Sequence, residues 1–518
     1  MSLENLENKI ELIWRRPVIF LILIGVISLS IKLYYLPNFP LSLDSLDYFF
    51  YATDISVNQK IPENYTPANN GWPIFLSLFF SIANFENIFS YMQLQRIISI
   101  FISTFTIIPI YFLAKKFFNI KLALVGSVIF AFEPKLIQNS VLGITDALYI
   151  FLISATLITF LGTKKFLYLS FVFASLATLV RSEGVVLLFI ISILFFIKFR
   201  DQKKEIPKFI FAIGIMALIL VPMMLIKTEA SGNDIIFTRV VTGVSVYNQY
   251  MQDGNEYGKN PLLTGIENFL KYFVWNLIPI FILVPVGIFF LFKKINFNKI
   301  FIIVGIIICS IPAFWAYSLP LQDLRYLYFI YPFFILISLY PLEKILNKKY
   351  VHLIFSLIVS IILLSSLTYL EFKIENERQE EAYLITKEIS KFVQVTNEFP
   401  PESKFVEVIN YPVKWEDFIP LFKQNRQENT SIRIELQNNE LVDPKKFRDL
   451  QDMINNSSPK LTHVVVDDTM NEDSFLYEVY QNEEKYFYLE KKFDSKIVDY
   501  NYHVKVFKID YEKFNEFN

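Results

Sequence analysis

Long apolar runs recur through the first 370 residues of the chain. Runs such as Val18–Leu29 and Leu187–Phe196 contain no charged side chain. A helix needs about 20 consecutive apolar residues to cross the ~30 Å hydrocarbon core of a bilayer. Windows close to that length predict eleven membrane-spanning helices, at about residues 17–36, 92–114, 121–138, 144–162, 166–181, 183–198, 208–226, 272–292, 299–318, 326–342 and 350–370. The shorter apolar segment Trp72–Ala83 predicts a re-entrant or interfacial helix.

The pattern changes after residue 371. Short β-branched runs, "KFVEVI", "SIRIEL" and "THVVVDD", alternate with polar helical stretches at 376–397 and 444–455. The last run, "KYFYLEKKFDSKIVDYNYHVKVFKID", predicts an antiparallel hairpin. Short strands that alternate with helices are typical of a small α/β domain. The sequence therefore predicts an α-helical membrane domain over 1–370 and an α/β domain over 371–518.

Composition supports a polytopic membrane protein and argues against several other classes. Hydrophobic residues make up 53% of the 518 residues, and the mean hydropathy is +0.39. The net charge of −1 gives no basic surface, so nucleic acid is not an expected partner. A single cysteine, Cys309, excludes an intramolecular disulfide, and three histidines argue against a multi-histidine catalytic metal centre.

The basic residues predict the orientation of the chain in the membrane. Within the first 370 residues, the predicted loops on the side of the N-terminus hold 19 Lys and Arg residues, including Arg15, Arg16, Lys203 and Lys204, and the opposite side holds ten. Short cytoplasmic loops carry this excess, so we expect a cytoplasmic N-terminus in a multi-pass protein of the plasma membrane. Eleven spans then place the C-terminal domain outside the cell, together with the loops at 37–91 and 227–271.

The first outer loop begins with the acidic and aromatic stretch "LSLDSLDYFFYATD". In a helix, Asp44, Asp47, Tyr48, Tyr51 and Asp54 lie on one face because they follow helical spacing. The apolar residues Leu43, Leu46, Phe49 and Phe50 lie largely on the other face. This pattern predicts an amphipathic helix along the membrane interface. Its acids have two interpretations, an ordinary helix cap and a catalytic role.

Other ionisable side chains fall at the outer ends of the later spans. They are Arg96, Glu133, Asp146, Arg181, Glu183, Arg239, Asp323 and Arg325. Ionisable groups near membrane spans are costly and usually functional. Arginine binds phosphate in a bidentate way, and a carboxylate can take a proton from an attacking hydroxyl. A cavity with both groups suits a lipid phosphate that carries a sugar.

Each of these residues also has a purely structural interpretation. Arg181 and Glu183 fit an ion pair at a tight turn between spans. Arg325 fits a side chain that extends to the interface, and Asp146 fits the cap of the helix that follows it. The glycine-rich loop 227–271 fits either a mobile lid or a polar connector.

Four stretches resemble the GT-C superfamily of membrane glycosyltransferases. They are "DSLDYFFYA", "TPANNGWPIFLSLFF", "NSVLGITDALYIFL" and the pair "LATLVRSEGVVLL" and "LRYLYFIYPFFIL". The resemblance covers about residues 10–370. It is strongest to the branch of protein O-mannosyltransferases and lipid-A aminoarabinose transferases, which is like glycosyltransferase family 39. Ser45 stands where the family usually has a glutamate, and both Asp44 and Asp47 stay open as the base.

The resemblance implies an inverting sugar transfer from a polyprenyl- or dolichyl-phosphate donor to an acceptor hydroxyl on the outer face. In this interpretation Asp44 is the favoured base, and Arg325 neutralises the lipid phosphate together with Arg181 or Arg239. Asp47 or Asp146 orients the sugar or a divalent cation, the one cofactor considered. Further substrate-binding residues are Tyr48, Tyr51, Trp72, Arg96, Glu183 and Tyr326. Of these, Tyr48, Tyr51 and Trp72 would stack on the sugar.

The expected partners are the lipid-linked donor, membrane lipids, and a protein, glycan or lipid acceptor. A transporter or flippase of lipid-linked sugars is the alternative, because it uses the same arginines and acids. Transporters often show repeat symmetry, and the sequence shows none. The acids also cluster on one side of the membrane, which favours the enzyme.

Overall fold

A computed structural model describes most of the chain. It covers residues 16–41, 43–62, 70–232, 245, 261–276, 282–293, 295–319, 324–346, 351–374, 376–389, 391–397, 441–468, 470, 473–498 and 500–517. These residues form two compact units. The first unit takes those within Met1–Leu36, Lys60–Phe79 and Leu94–Ile374, and the second takes those within Pro37–Gln59, Phe80–Gln93 and Glu375–Asn518.

Helices dominate the chain up to residue 374. In chain order, the described helices α1 to α16 are Pro17–Tyr34, Leu43–Asn58, Gly71–Ile82, Ile88–Phe105, Ile107–Lys115, Ile120–Ala131, Pro134–Ser140, Asp146–Phe160, Leu167–Val180, Val185–Lys198, Ile206–Ser231, Pro261–Asn276, Leu283–Leu291, Phe297–Ser318, Tyr331–Leu346 and Val351–Lys373. Short 3-10 turns occur at Lys164–Phe166, Ser182–Gly184, Lys203–Glu205 and Leu324–Leu327.

Helix α6 lies at the centre of the first unit. Every residue from Leu122 to Ala131 is buried, and the helix packs against α1, α5 and α15. A helix that is apolar all round belongs in a core. By contrast, α1 and α11 leave side chains such as Val18, Ile22, Leu218 and Leu225 exposed. Their apolar outer faces are typical of a surface that meets lipid.

Some of the predicted spans coincide with single apolar helices, whereas the window 121–138 is divided between α6 and α7. The window 17–36 matches α1, and the window 144–162 matches α8, Asp146–Phe160. Five described helices are long and apolar enough to cross a membrane, namely Pro17–Tyr34, Ile88–Lys115, Lys203–Ser231, Phe297–Ser318 and Leu353–Lys373. The count of eleven spans is not confirmed and stays a prediction. The short segment predicted at Trp72–Ala83 forms α3, Gly71–Ile82.

The second unit contains α2 and the C-terminal residues. The described elements after residue 375 are helices α17 to α20, at Asn376–Ile389, Leu450–Asn456, Phe475–Gln481 and Tyr511–Phe517, and strands β1 to β5, at Thr396–Asn397, Leu441–Val442, His463–Asp467, Leu489–Asp494 and Val504–Ile509. Strands β1 and β2 form a parallel pair, and the other three form an antiparallel sheet in the order β3-β5-β4.

The small α/β arrangement predicted for the tail is confirmed in these residues. The predicted hairpin is β4 and β5, with Leu489 opposite Ile509, and "THVVVDD" supplies β3. Residues Val464, Val465 and Val466 of β3 are fully buried in the core of this part. The stretches "KFVEVI" and "SIRIEL" lie outside the described residues. The predicted boundary at residue 371 stays a prediction.

Candidate active site

Three of the predicted site residues form one charged cluster in the first unit. Asp146 is the first residue of α8, and Arg181 follows the last residue of α9. The Nη1 atom of Arg181 donates to Oδ1 of Asp146 at 2.5 Å, and its Nη2 atom donates to Oε1 of Glu183 at 3.1 Å. The two carboxylates outnumber the guanidinium, so the cluster of Asp146, Arg181 and Glu183 carries one net negative charge.

Both carboxylate oxygens of Asp146 have partners. While Oδ1 accepts from Arg181, Oδ2 accepts from Nδ2 of Asn139 in α7 at 3.0 Å. The Asp146 residue is 1% exposed, and its place in the first turn of α8 favours a negative charge there. In this arrangement Asp146 holds the Arg181 side chain in position, and it is poorly placed to take a proton from an acceptor.

The guanidinium of Arg181 lies over an aromatic stack. Its Cζ atom is 5.6 Å from the ring centroid of Tyr149, within cation–π range. The Tyr149 ring in turn stacks on Phe329 at 5.7 Å and an interplanar angle of 16°. The Nε atom of Arg181 and the hydroxyl of Tyr149 are buried without a hydrogen-bond partner among the residues that the structure describes. Their hydrogen-bonding capacity is therefore unused within the described residues.

The same stack brings the segment of Arg325 to the cluster. Phe329 lies four residues after Arg325, which sits in the 3-10 turn Leu324–Leu327. Arg325 and Tyr326 are half-buried, and the Tyr326 ring meets the edge of Tyr317 at 6.0 Å. The other arginine predicted for the lipid phosphate, Arg239, lies outside the described residues, as does Asp323.

Trp72 supports the loop that leads into Asp146. Its Nε1 atom donates to the carbonyl oxygen of Gly143 at 3.0 Å, and Nε2 of Gln95 donates to the same oxygen at 2.8 Å. Gly143 has a φ of +74°, a conformation that favours glycine. Trp72 is fully buried, so its ring serves the packing here, and its predicted stacking on a sugar stays a prediction.

The start of α3 also touches the end of α9. A Cβ atom on Gly71 would lie 2.7 Å from the backbone carbon of Leu179 and from the nitrogen of Val180. Only glycine permits this approach, directly before Arg181 in the chain. Arg96, predicted to bind substrate, is 3% exposed. Its Cγ atom lies 3.5 Å from the position that a Cβ of Gly143 would take. Gly71 and Trp72 therefore contact the segments that lead into both partners of the ion pair, Arg181 and Asp146.

Several residues of this region were missed in the sequence. Asn139 and Tyr149 contact the cluster directly, and Tyr149 was detectable because it lies three residues after Asp146 on the same helix face. The hydroxyl of Tyr331 donates to Oε2 of Glu133 at 2.9 Å, and both side chains are buried. No local pattern pairs these two residues, which lie 198 positions apart.

A buried lysine lies close to Asn139. The ammonium of Lys32, in α1, donates to Oγ of Ser103 at 2.8 Å, and the Lys32 residue is 1% exposed. Ser103 and Asn139 line the same small cavity, together with Ser140. Lys32 therefore contacts the wall of this cavity through Ser103. Lys32 is not among the residues predicted from the sequence.

The acidic helix α2 belongs to the second unit. Asp44 is exposed and Asp47 is half-buried, whereas Asp54 is fully buried. The predicted polar face also contains Tyr48 and Tyr51, and both are buried, as are Leu46, Phe49 and Phe50 of the apolar face. Both faces of α2 are thus covered, which differs from a helix that lies along an interface. Burial raises the pKa of Tyr51, so its hydroxyl stays protonated.

The exposure of the acids narrows the choice of base. A general base must come within hydrogen-bond reach of the acceptor hydroxyl. Of the three α2 acids, Asp54 is fully buried, whereas Asp44 and Asp47 are not. For the predicted divalent cation, the described residues contain no group of three His, Cys, Asp or Glu side chains that could hold a metal ion. A cation role for Asp47 or Asp146 therefore stays a prediction.

Comparisons with known proteins agree with the sequence-based resemblance at the level of the superfamily, but the matching family model is not that of the predicted family 39-like branch. The sequence model of the Alg9-like mannosyltransferase family matches residues 66–409, more than half of the chain. The crystal structure of ArnT from Cupriavidus metallidurans bound to undecaprenyl phosphate superposes with a TM-score of 0.55 at 8% identity, covering 94% of this chain and 97% of that one. Its apo form gives 0.53 at 10% identity, with the same coverage. No curated protein sequence matches the chain.

A second fold neighbour is longer than this chain. It is the oligosaccharyltransferase of Archaeoglobus fulgidus in complex with zinc and sulfate, with a TM-score of 0.48 and 14% identity over 74% of this chain. The chain spans 57% of the length of that protein.

These matches decide the class of the protein. The likeness to ArnT extends over nearly the whole chain and shows the fold, a multi-pass helical bundle with a small α/β part at its C-terminal end. The predicted GT-C superfamily is confirmed by the family match. The chain belongs to the Alg9-like mannosyltransferase family and is a membrane glycosyltransferase of the GT-C superfamily.

Proposed function

We propose that the protein transfers a sugar, of the mannosyl or hexosyl type, from a polyprenyl- or dolichyl-phosphate donor to an acceptor hydroxyl. The observation that carries the proposal is the buried ion pair of Arg181 and Asp146 beside the Arg325 segment, in a chain of a mannosyltransferase family. A lipid-phosphate donor is supported by the ArnT structure, which holds undecaprenyl phosphate. The roles of individual residues toward the donor and the acceptor are separate proposals.

The reaction in this proposal is a single displacement at the anomeric carbon. The acceptor oxygen gives its proton to a carboxylate and forms a bond to C1 of the sugar. The bond between C1 and the phosphate oxygen breaks on the opposite face, and the lipid phosphate leaves with the bonding electrons. A single displacement inverts the anomeric configuration. The protein has to supply a base and a positive charge at the phosphate.

Asp44 is the proposed base, with Asp47 as the alternative. Asp44 is an exposed residue in the first turn of α2, which favours access by an acceptor. Asp47, one turn later, is half-buried. Asp146 takes a different role, because both its oxygens are engaged. It fixes Arg181 over Tyr149.

Arg325 is the proposed ligand of the departing phosphate. The cluster around Arg181 is net negative, so Arg181 alone offers a phosphate little attraction. Arg325 adds a positive charge from the neighbouring segment, and Arg239 stays a further proposal. The free N–H of Arg181 and the hydroxyl of Tyr149 suit the hydroxyl groups of a sugar.

The proposed topology has a cytoplasmic N-terminus, eleven spans and an extracytoplasmic C-terminal domain. It rests on the basic residues of the predicted cytoplasmic loops. Sugar transfer would then take place on the outer face of the plasma membrane. The proposed division into a membrane domain over 1–370 and an outer domain over 371–518 follows the change in sequence pattern.

Incubation of the purified protein with radiolabelled polyprenyl-phosphate mannose and a panel of hydroxyl acceptors tests this function. We expect label in the acceptor and release of the lipid phosphate, with Asp44→Asn inactive. Anomeric analysis of the product by NMR tests inversion. Movement of label across proteoliposome membranes without any product would overturn the proposal in favour of a flippase.

A further inference from the structure

Helix α17 connects the C-terminal sheet to the rest of the second unit. On one side, Ala382, Ile385 and Ile389 are buried in the same apolar core as strands β3 and β5. The carboxylate of Glu381 accepts from Nδ2 of Asn501 at 2.8 Å and from the backbone nitrogen of Tyr502 at 2.7 Å. This side of α17 is therefore fixed to the C-terminal sheet.

A different side of α17 contacts the residues around α2. Oε1 of Glu380 accepts from Nδ2 of Asn38 at 3.2 Å, five residues before α2 begins. The ring of Tyr383 lies 5.3 Å from the ring of Phe89 in α4. The two contacting residues of α17 are three positions apart and share a helix face. Both are outside the group that packs into the sheet.

The residues that α17 contacts lie close in the chain to the residues that hold α2. Nε2 of Gln93, in α4, donates to the carbonyl oxygen of Pro37 at 2.6 Å, next to Asn38. The Phe80 ring lies 5.6 Å from Phe49 of α2 and 5.7 Å from Tyr91 of α4. Helix α2 is thus fixed at its entry and along its side by one connected set of contacts.

We propose that the C-terminal domain positions the acids of α2 for catalysis, and that Glu380 and Tyr383 are its positioning residues. The inference rests on the proposed function, since it assumes that Asp44 or Asp47 is the base. A base displaced by about 1 Å can lose a hundredfold in rate. The exposed end of α2 that carries Asp44 has to be fixed from outside the helix. The C-terminal domain supplies this support through α17.

Hydrogen–deuterium exchange of the full-length protein, measured over residues 43–58, tests the proposal independently of activity. We expect Tyr383→Ala to speed exchange about two- to tenfold, because the aromatic pair contributes about 0.5–1.5 kcal/mol, and Tyr383→Phe to restore the wild-type rate. Leu384→Ala is the matched control, since that neighbour is 42% exposed. We expect it to leave exchange unchanged. Each variant is checked for wild-type elution and melting temperature.

The activity assay adds a second measurement. We expect Tyr383→Ala to lower kcat while the KM for the donor stays constant, as a displaced base would. Unchanged exchange over 43–58 in a folded Tyr383→Ala or Glu380→Ala/Tyr383→Ala protein would overturn the inference. The wild-type protein could also transfer no sugar while Tyr383→Ala still speeds exchange over 43–58. That result would support the positioning role and overturn only the proposed function.

Discussion

Arg181 and Asp146 lie 35 residues apart in the chain, and their side chains are 2.5 Å apart in the fold. The pair connects the end of α9 to the beginning of α8, and these helices pack along each other. Asp146 is 1% exposed at its side chain and Arg181 is 11% exposed. Breaking a buried pair of this kind leaves an uncompensated charge in the interior, so each partner depends on the other.

Asp146→Asn should therefore destabilise the first unit. We expect a loss near the lower end of the range for buried pairs, about 3 kcal/mol, because Glu183 still binds Arg181. The matched control is Glu183→Gln, which removes the partner whose side chain is 25% exposed and should cost less. Thermal unfolding of the detergent-solubilised protein measures both. Equal losses in the two variants would contradict the stronger pairing of Asp146.

A double-mutant cycle separates the pair from its surroundings. Arg181→Gln combined with Asp146→Asn should destabilise less than the sum of the single changes, by about 1 kcal/mol or more. Additive losses would show that the two side chains act separately.

The sequence predicted these two residues on the same side of the membrane, but it did not pair them with each other. Hydropathy locates spans well because a helix in lipid satisfies its own backbone hydrogen bonds. Hydropathy therefore indicates which end of a span a residue occupies, but it gives no information about the neighbours of that residue on other helices of the bundle. Tertiary packing brings Asn139 and Arg181 to Asp146, and it brings Tyr149 to Arg181. Of these contacts, only that of Tyr149 was predictable from local spacing, because Tyr149 lies three residues after Asp146 on the same helix face.

Helix α2 is a second case in which the sequence pattern did not predict the surroundings of a residue. Helical spacing predicted a helix here, and Leu43–Asn58 forms one. It predicted an exposed polar face, yet Tyr48, Tyr51 and Asp54 are buried. Tyrosine has a large apolar ring and packs readily in a core. The burial of a mixed face depends on which elements cover it, and that is a property of the whole second unit.

The three acids of α2 should respond differently to neutralisation. Asp44→Asn should lower kcat about 10²- to 10⁴-fold, the usual contribution of a general base, with an unchanged melting temperature because Asp44 is exposed. Asp54→Asn should lower the melting temperature, since Asp54 is fully buried. Steady-state kinetics and thermal unfolding of both variants give the comparison. An active Asp44→Asn protein beside an inactive but folded Asp47→Asn protein would assign the base to Asp47.

Arg325→Gln should weaken the binding of the lipid phosphate. A hydrogen bond to a charged group contributes about 1.5–3 kcal/mol, so we expect kcat/KM for the donor to fall about ten- to a hundredfold. Inhibition by free polyprenyl phosphate should weaken in parallel. The control is Arg448→Gln, the same substitution at an exposed arginine of the C-terminal part, whose side chain is 90% exposed. Unchanged inhibition in Arg325→Gln would remove this residue from the phosphate site.

The C-terminal sheet should lose stability in mild acid through His463. This residue begins β3 and is buried, and its ring meets Phe392 at 5.9 Å. Burial lowers the pKa of His463, and the nearby Lys508 and Lys492 lower it further. The unfolded chain, with a histidine pKa of about 6.5, then binds the proton more readily than the folded one. The stabilising contribution is complete above that pH and is lost as the pH falls through the lowered folded pKa.

His463→Gln removes the titrating group and should flatten this dependence. The measurement is hydrogen exchange of β3 and β5 in the full-length wild-type protein and in the His463→Gln variant. It runs from pH 7.5 down to pH 5, and the rates are corrected for intrinsic exchange. We expect the wild-type sheet to open more readily over the lower part of that range and the variant to change less. The reason is that glutamine binds no proton, so one source of the difference in proton uptake between the unfolded and folded states disappears. An equally steep loss in the variant would assign the acid sensitivity to other groups of the sheet.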